Sequence, residues 1–343
     1  MKENIYTVEY GRGLLEKCLS ENGKAFVVTD KNIWNLYKDK FVGHDYEVYN
    51  MTSVDKNFME TEMKTEIDCD YVLGFGGGVA ADGAKLWAEK YDKKLIQIPT
   101  AVSVNAFICY KTAVRYDNVV KYEGHIIPEV IYIDFDILEK TPAYLNVSGI
   151  GDLLSCLTAS YDWKLNSMVT KSHEFVQEIY DDMQNMLSLL SENLDDIVEN
   201  NQQGIRFIVE AYHRIAEPSY RMKHTMWEDA SEHNFFMNLE KITKKPFLHG
   251  QVICLGVYLM TSFQDNQHER ATLLIKRSGI DITPSGLGIN MEDIREALLK
   301  LNDFVVDEKI RYSILNAKEV TVEWVDMILE KYKNDFNIKE INY

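Results

Sequence analysis

Short runs of β-branched and other apolar residues alternate with polar, helix-like stretches through about the first 145 residues. This alternation is typical of strands and helices that take turns in a parallel α/β sheet. The runs predict strands at residues 24–29, 45–50, 71–75, 94–98 and 130–133. Because parallel strands gather ligands at their carboxyl ends, the residues that follow them are candidates for binding. These residues are Asp30, Gly76, Gly77, Gly78, Pro99, Thr100 and Asp134.

The pattern changes after Pro142, where long stretches carry helical spacing and few strand-like runs, as in residues 173–198. We therefore predict two domains, an α/β domain over residues 1–145 and an all-helical domain over residues 146–343. Pro142 and the glycines of SGIGD mark the boundary.

The chain has 343 residues and 46% hydrophobic content, which is enough for a large core. It has 37 Lys and Arg against 54 Asp and Glu, a formal charge of -17. This charge repels nucleic acid and anionic lipid, so we expect neither as a partner. An anionic ligand would need a local basic pocket or a helix N-terminus.

The five cysteines are scattered and form no CxxC pair. Such a pattern fits a reducing compartment. The N-terminus lacks an apolar signal core, and the chain has no uninterrupted apolar run of about 18 residues. We therefore expect a cytoplasmic protein that does not span a membrane.

The segment GFGGGVAADGAK places Gly76, Gly77 and Gly78 directly after a predicted strand and before a predicted helix. Glycines let the backbone approach a pyrophosphate, and the helix N-terminus offers free N–H groups. The segment matches neither GxGxxG nor a P-loop. It therefore predicts either a phosphate-binding loop or only a tight strand-to-helix turn.

Asp30 ends the strand FVVTD. A carboxylate there could accept hydrogen bonds from an adenosine ribose and repel the extra phosphate of NADP, which favours NAD(H). The same residue could instead cap the helix that begins at KNIWNLY. The two roles do not exclude each other.

Asp152, His233 and His249 lie on predicted apolar helices, where a buried charge requires a partner or a metal ion. One carboxylate and two imidazoles suit a catalytic divalent ion, because three protein ligands leave a coordination position open. The alternative is a helix-capping aspartate and two hydrogen-bonded core histidines. The separations along the chain carry no ligand-spacing signature of their own.

An ordered set of motifs resembles the glycerol dehydrogenase and dehydroquinate synthase superfamily, which includes the iron-containing alcohol dehydrogenases. The motifs are GGG-x3-D-x2-K at 76–85, PT-x2-S at 99–103, D-x3-L-x3-P at 134–142, GxGDLL at 149–154, SEH at 231–233 and HG-x-V at 249–252. The stretch GDLLSCLTASYDWKL is particularly similar to sn-glycerol-1-phosphate dehydrogenases. The resemblance implies a dehydroquinate synthase-like fold, in which a Rossmann-like parallel sheet domain precedes a helical domain.

The resemblance also implies roles for individual residues. The implied metal ligands are Asp152, His233 and His249. The implied cofactor contacts are Asp30, Gly76, Gly77, Gly78, Asp82, Thr100 and Ser103. The iron-type alcohol dehydrogenases have a fourth ligand, a histidine, one helical turn after the aspartate, where this chain has Cys156. We therefore favour zinc, with nickel and iron as alternatives that accept the same ligand types.

Two positions depart from the pattern of the glycerol dehydrogenases and their phosphate-specific relatives. Asn105 replaces an aspartate after PT-x2-S, and Gln251 replaces the glutamate of HGE. YKTAVR from Tyr110 resembles the GKTAV stretch of dehydroquinate synthases, which implies that Lys111 contacts an anionic group of the substrate. Asn105 and Lys111 are therefore candidate catalytic residues beside the metal ligands.

The resemblance implies a metal-dependent, NAD(H)-linked oxidoreductase that reduces a small ketose phosphate, such as dihydroxyacetone phosphate or a longer relative, to the polyol phosphate. The alternatives are a cyclase that uses NAD catalytically and a catalytically silent nucleotide-binding protein. We expect the substrate phosphate to meet a basic cluster of Arg214, Arg221, Lys223 and His224, although these side chains also fit a solvated helix face. We also expect a homo-oligomer, a dimer or larger.

Overall fold

The computed structural model describes residues 5–63, 66–116 and 119–338. Its strands are β1 Val8–Gly11, β2 Ala25–Thr29, β3 Tyr46–Asn50, β4 Tyr71–Gly76, β5 Lys94–Pro99, β6 Thr112–Tyr116, β7 Val119–Glu123 and β8 Val130–Asp134. The first group of helices is α1 Leu14–Glu21, α2 Lys31–Tyr37, α3 Lys56–Thr61, α4 Gly78–Lys90, α5 Phe135–Leu138 and α6 Ala143–Ser148.

The remaining described elements are all helical. They are α7 Ile150–Thr170, α8 Gln177–Val198, α9 Gln202–Met222, α10 Ser231–Thr243, α11 His249–Phe263, α12 His268–Ser278, α13 Pro284–Leu287, α14 Met291–Leu299, α15 Leu301–Asp307, α16 Ile314–Ala317 and α17 Val322–Asp335. None of the described helices combines the length and the apolar character needed to cross a bilayer.

Six strands form one parallel sheet in the order β1-β8-β5-β4-β2-β3. Every residue of β2 and β4 is buried, as expected for central strands covered on both faces. Alternate residues enter two separate cores. One core contains Phe26, Val28 and Val72, and the other contains Ala25, Val27 and Leu73. The predicted fold class, a parallel α/β sheet followed by a helical region, is confirmed.

The five predicted strands are all present, but the pattern of the sequence did not predict β1, β6 or β7. β1 is a four-residue edge strand whose side chains are all half-buried, so it lacks an apolar run. β6 and β7 pair as an antiparallel hairpin outside the main sheet, and Lys121 and Tyr122 in β7 are exposed.

The chain forms two compact units. Unit 1 comprises residues 1–149 and 199–221, and unit 2 comprises residues 150–198 and 222–343. The domain prediction did not assign α9 to the first unit. α9 packs there because the Arg206 guanidinium lies 4.1 Å from the Tyr10 ring centroid and the Tyr212 hydroxyl donates to the carbonyls of Val102 and Gly149.

Candidate metal centre and dinucleotide loop

Asp152, His233 and His249 come together within unit 2. One potential ligand atom from each residue lies within 4.8 Å of the others. The His249 Nε2 atom is 3.1 Å from Asp152 Oδ1, and the two imidazole centroids are 5.3 Å apart. Asp152 and His233 are buried and His249 is half-buried. This arrangement can accept a divalent cation that is reached from the His249 side.

Glycines bring the three ligand-bearing helices together. A Cβ atom on Gly151 would lie 2.3 Å from the Gly250 carbonyl oxygen, so the first turns of α7 and α11 touch through their backbones. A Cβ on Gly256 would lie 2.6 Å from the Glu232 carbonyl oxygen, so α11 and α10 are equally close. The neighbours of Gly151 and Gly250 along the chain are Asp152 and His249, which explains how residues so distant in sequence meet.

His233 is fixed by the preceding residue. Its Nδ1 atom lies 2.8 Å from Glu232 Oε1, and the Glu232 side chain is completely buried. Burial lowers the pKa of His233, but the hydrogen bond that its ring donates to Glu232 and the negative charges of Asp229, Glu232 and Asp152 outweigh it and raise the pKa to about 9. The surroundings of His233 therefore stabilise positive charge. Glu232 was not among the residues predicted from the sequence, although it stands inside the SEH motif.

Cys156 takes no part in this group. Its Sγ atom faces the Asp152 carbonyl oxygen at 3.9 Å and Met183 Sδ at 3.8 Å. Burial raises the pKa of this thiol well above its usual value, and the charges of Glu228, Glu232 and Asp152 raise it further. Its Sγ atom is also not among the ligand atoms that lie within 4.8 Å of one another. The described group therefore offers three protein ligands.

The glycine loop joins β4 to α4 in unit 1. A Cβ on Gly76 would lie 2.6 Å from Ala80 Cβ, and one on Gly78 would lie 2.8 Å from Val104 Cγ1. These two glycines permit close packing of strand, helix and the following loop. By contrast, a Cβ on Gly77 would meet nothing within 4 Å. Gly77 is also the N-cap of α4 and has no side-chain cap, so the helix presents its first N–H groups beside open space.

Asp30 lies at the same edge of the sheet and caps α2. Its Oδ1 atom accepts hydrogen bonds from the backbone N–H groups of Asn32 and Ile33 at 2.9 and 3.1 Å. Its Oδ2 atom lies on the side of Gly76, 3.6 Å from the position of a Cβ there. The N-cap role is therefore present, and the second carboxylate oxygen faces the glycine loop.

Asp82 and Lys85 form a buried ion pair on α4, with Lys85 Nζ 2.7 Å from Asp82 Oδ1. Lys85 Nζ also donates to the backbone carbonyls of Cys109 and Lys111. The pair thus holds the chain that enters β6. The Lys111 side chain is half-buried and its Nζ lies 5.8 Å from the Tyr110 ring centroid.

The segment from Thr100 to Asn105 follows β5 at the same edge of the sheet. The backbone N–H of the buried Thr100 donates to the Gly76 carbonyl at 2.9 Å. Ser103 and Asn105 are half-buried, and Asn105 begins a short 3-10 turn. The sequence missed Asn146, whose Oδ1 accepts from the Val102 N–H at 2.9 Å and so positions this segment.

Comparison with known proteins identifies the family of this chain. Residues 9–142 match the family model described as iron-containing alcohol dehydrogenase. A glycerol-1-phosphate dehydrogenase (NAD(P)+) of Hyperthermus butylicus is 27% identical over 324 residues, covering 91% of this chain and 90% of that protein. A second one, from Staphylothermus marinus, is 30% identical over 260 residues, covering 73% of this chain and 70% of that protein. This chain belongs to the glycerol-1-phosphate dehydrogenase family.

The fold of this family member is also found among solved structures. The crystal structure of glycerol dehydrogenase from Schizosaccharomyces pombe superposes with a TM-score of 0.73 at 19% identity. The match covers 99% of this chain and 94% of that one. At this identity the likeness concerns the fold alone.

Gln251, which departs from the HGE motif, has a local structural role in this glycerol-1-phosphate dehydrogenase family member. Its Nε2 atom donates to the backbone carbonyls of Asp281 and Gly286. A glutamate at this position could not donate both hydrogen bonds. The glutamine therefore fits the turn at 281–286.

The basic cluster expected to bind the substrate phosphate carries less positive charge than its sequence suggests. Burial lowers the pKa of His224 to about 4, and the positive charges of His173 and Arg311 lower it further, so His224 is neutral at pH 7. The Arg221 guanidinium lies 2.8 Å from Glu217 on its own helix. Arg214 and Arg221 belong to unit 1, whereas Lys223 and His224 belong to unit 2.

Proposed function

We propose that this protein is a metal-dependent, NAD(H)-linked dehydrogenase that reduces dihydroxyacetone phosphate, or a longer ketose phosphate, to the polyol phosphate. One observation carries the proposal: Asp152, His233 and His249 converge from three helices with ligand atoms within 4.8 Å of one another. Membership of the glycerol-1-phosphate dehydrogenase family supports it, because those relatives are named for a polyol phosphate, glycerol 1-phosphate, and for NAD(P)+.

The three side chains fit a catalytic divalent ion. They offer one carboxylate oxygen and two imidazole nitrogens, which leaves coordination positions open for a substrate. A divalent ion held there supplies a Lewis acid that polarises the substrate carbonyl oxygen. We favour zinc because nitrogen and oxygen ligands in this number suit it and Cys156 replaces the fourth histidine of the iron-type enzymes; elemental analysis distinguishes zinc from nickel and iron.

The residues of unit 1 suit the cofactor. Bound NADH supplies the hydride. The uncapped N-terminus of α4 donates N–H groups to the pyrophosphate, and Gly77 leaves the space that the phosphates need. Asp30 Oδ2 accepts from a ribose hydroxyl and disfavours the 2'-phosphate of NADPH. Gly76, Gly78, Thr100 and Ser103 shape the same loop edge, while Asp82 acts through its ion pair with Lys85.

Replacing a ligand tests the metal assignment. We expect His249→Ala, or His233→Ala, to abolish NADH oxidation with dihydroxyacetone phosphate and to lower the bound metal measured by elemental analysis. Unit 1 should stay folded, because both residues belong to unit 2. His44→Ala, at a half-buried position in unit 1, is the control and should keep both properties. Stoichiometric metal that persists in both ligand variants would overturn the assignment.

A second measurement separates a dehydrogenase from a cyclase. A dehydrogenase oxidises one NADH for each ketone reduced over many turnovers, so both should change in step. Product formation with catalytic NAD and no net redox change would instead indicate a cyclase.

We propose a cytoplasmic location, because the five scattered cysteines, without a CxxC pair, fit a reducing compartment. Homo-oligomerisation stays a prediction, and light scattering of the purified protein measures it.

A further inference from the structure

The carboxylate of Glu232 accepts hydrogen bonds at both of its oxygens. Its Oε1 atom accepts from the Ala230 N–H at 2.9 Å and from His233 Nδ1 at 2.8 Å. Its Oε2 atom accepts from the Thr158 hydroxyl at 2.6 Å. Glu232 is completely buried, so these donors replace the water that an ionised carboxylate would otherwise require.

This arrangement determines which nitrogen of His233 carries the proton. The Oε1 atom already accepts from the Ala230 N–H, so it is an acceptor, and the Nδ1 atom of His233 must be the donor. Because Nδ1 keeps its proton, the other nitrogen, Nε2, is the one that offers its lone pair when a metal ion displaces the proton there. The hydrogen bond also limits rotation of the ring about its attachment to the helix.

Thr158 links Glu232 to the helix that carries another candidate metal ligand. Thr158 and Asp152 both belong to α7. The Thr158 hydroxyl also lies 3.0 Å from the Ser155 carbonyl oxygen, but the shorter contact to a charged acceptor is the stronger one. α7 therefore supplies both the Asp152 ligand and the hydroxyl that holds Glu232.

We infer that Glu232, held by Thr158, is a positioning residue that fixes the tautomer and the ring orientation of His233 for metal binding. The inference rests on the proposed function, since it concerns the same metal ion. Glu232 is not one of the three candidate ligands. It acts through His233 alone, and its removal changes the affinity for metal.

Zinc affinity of the full-length protein provides the test. The metal is removed with a chelator, and zinc binding is measured by competition with a chromophoric chelator. Glu232→Gln keeps the shape and the acceptor for Nδ1 but removes the charge, so zinc should bind about tenfold more weakly. Glu232→Ala removes the acceptor as well, and the loss should approach about 100-fold. Thr158→Val removes the donor to Oε2 and should cause a smaller loss of the same kind.

A matched control is Glu240→Gln, which makes the same substitution at another buried glutamate of α10. It should leave the zinc affinity unchanged. Thermal unfolding of the metal-free proteins separates positioning from general destabilisation. We expect metal-free Glu232→Gln to unfold close to the wild type, although its zinc affinity is lower. Equal zinc affinity of the wild type, Glu232→Gln and Thr158→Val would overturn the inference.

His249→Ala distinguishes this failure from failure of the proposed function. If His249→Ala loses zinc while the Glu232 and Thr158 variants keep full affinity, the metal centre stands and only the positioning role is wrong. If the wild type itself binds no zinc, nickel or iron, or His249→Ala binds metal as well as the wild type, both the proposed metal centre and the positioning role are wrong.

Discussion

Gln251 lies two residues after the candidate ligand His249, and its amide donates to two backbone carbonyls of the turn at 281–286. An amide is needed here because both acceptors are carbonyl oxygens. The loss of the family's glutamate therefore has a local explanation that involves no substrate. The two N–H groups of this amide are engaged, so we propose that the other departure, Asn105, is the one that bears on substrate choice.

Gln251→Glu should destabilise the protein by about 1–2 kcal/mol at pH 7, because the carboxylate loses both hydrogen bonds and faces two carbonyl oxygens. The difference in unfolding free energy between the variant and the wild type should shrink near pH 4, where a protonated glutamate regains one donor. Urea unfolding at both pH values measures it. Gln203→Glu, at an exposed position of α9, is the control and should change stability by less than about 0.5 kcal/mol. A stability unchanged by Gln251→Glu would show that the turn does not depend on this amide.

Asp30 combines helix capping with the proposed ribose contact, and the variant Asp30→Ser separates these two roles. Asp30→Ser keeps an acceptor for the N–H groups at the start of α2, so stability should be preserved. The charge is lost, so the preference for NADH over NADPH should narrow. Steady-state kcat/KM with both cofactors measures this.

Asp30→Ala is the companion variant. It should lose both the charge and the cap, with a loss of about 1 kcal/mol in stability. A wild-type enzyme that already prefers NADPH would contradict the role of Asp30.

At the scale of elements, glycines determine how strand, helix and loop approach one another. Gly76 and Gly78 lie where a Cβ would collide with neighbours, whereas Gly77 between them faces open space. An added Cβ on Gly151 or Gly256 would likewise collide with backbone atoms, so these two glycines let the helices of the candidate metal centre approach closely. The three consecutive glycines of this loop therefore have different physical roles.

Gly77→Ala and Gly76→Ala should therefore behave differently. Gly77 has φ -81°, which alanine tolerates, so Gly77→Ala should change stability by less than about 1 kcal/mol. Its methyl group occupies the space proposed for the pyrophosphate, so NADH should bind at least about tenfold more weakly, a loss of about 1.4 kcal/mol. Gly76→Ala should instead destabilise the fold by about 1–3 kcal/mol, because the added carbon meets Ala80.

Calorimetric titration measures the affinity of each variant for NADH, and thermal unfolding measures its stability. Unchanged NADH affinity in Gly77→Ala would mean that the pyrophosphate binds elsewhere.

At the scale of the whole molecule, a charge of -17 opposes any phosphorylated substrate. Binding must therefore depend on local donors, and the substrate phosphate has fewer cations available than the basic cluster suggested, since His224 is neutral. We expect measurable reduction of dihydroxyacetone phosphate. The preferred chain length depends on which hydroxyls the pocket recognises.

Comparing kcat/KM for three- to six-carbon ketose phosphates decides the chain length. Asn105 can donate and accept hydrogen bonds, whereas an aspartate only accepts. Asn105→Asp should therefore shift the preference toward the shortest ketose if the wild type favours a longer one, by roughly tenfold for one mismatched polar contact of about 1.4 kcal/mol. A clear three-carbon optimum in the wild type would remove the longer-chain alternative.

Local patterns in the sequence determined most of the strands of the main sheet, the helical second half, the glycine loop and the cap at Asp30. The apolar runs predicted β2, β3, β4, β5 and β8, because buried parallel strands need nearly continuous apolar residues. Helical spacing predicted the second half, and turn chemistry marked the loop at Gly76–Gly78 and the cap at Asp30. β1 and the β6–β7 hairpin were missed because partly or fully exposed positions interrupt their apolar residues, so they carry no such run.

Only the tertiary structure decided how distant residues meet. The separations between Asp152, His233 and His249 carry no signature, and they converge because backbone contacts at Gly151, Gly250 and Gly256 bring three helices together. Glu232 and Gln251 acquire their roles from Thr158 and from the turn at 281–286, both remote in sequence. Periodicity reports which face of an element is buried, but hydrogen-bond partners depend on how elements pack, so they cannot be derived from local sequence.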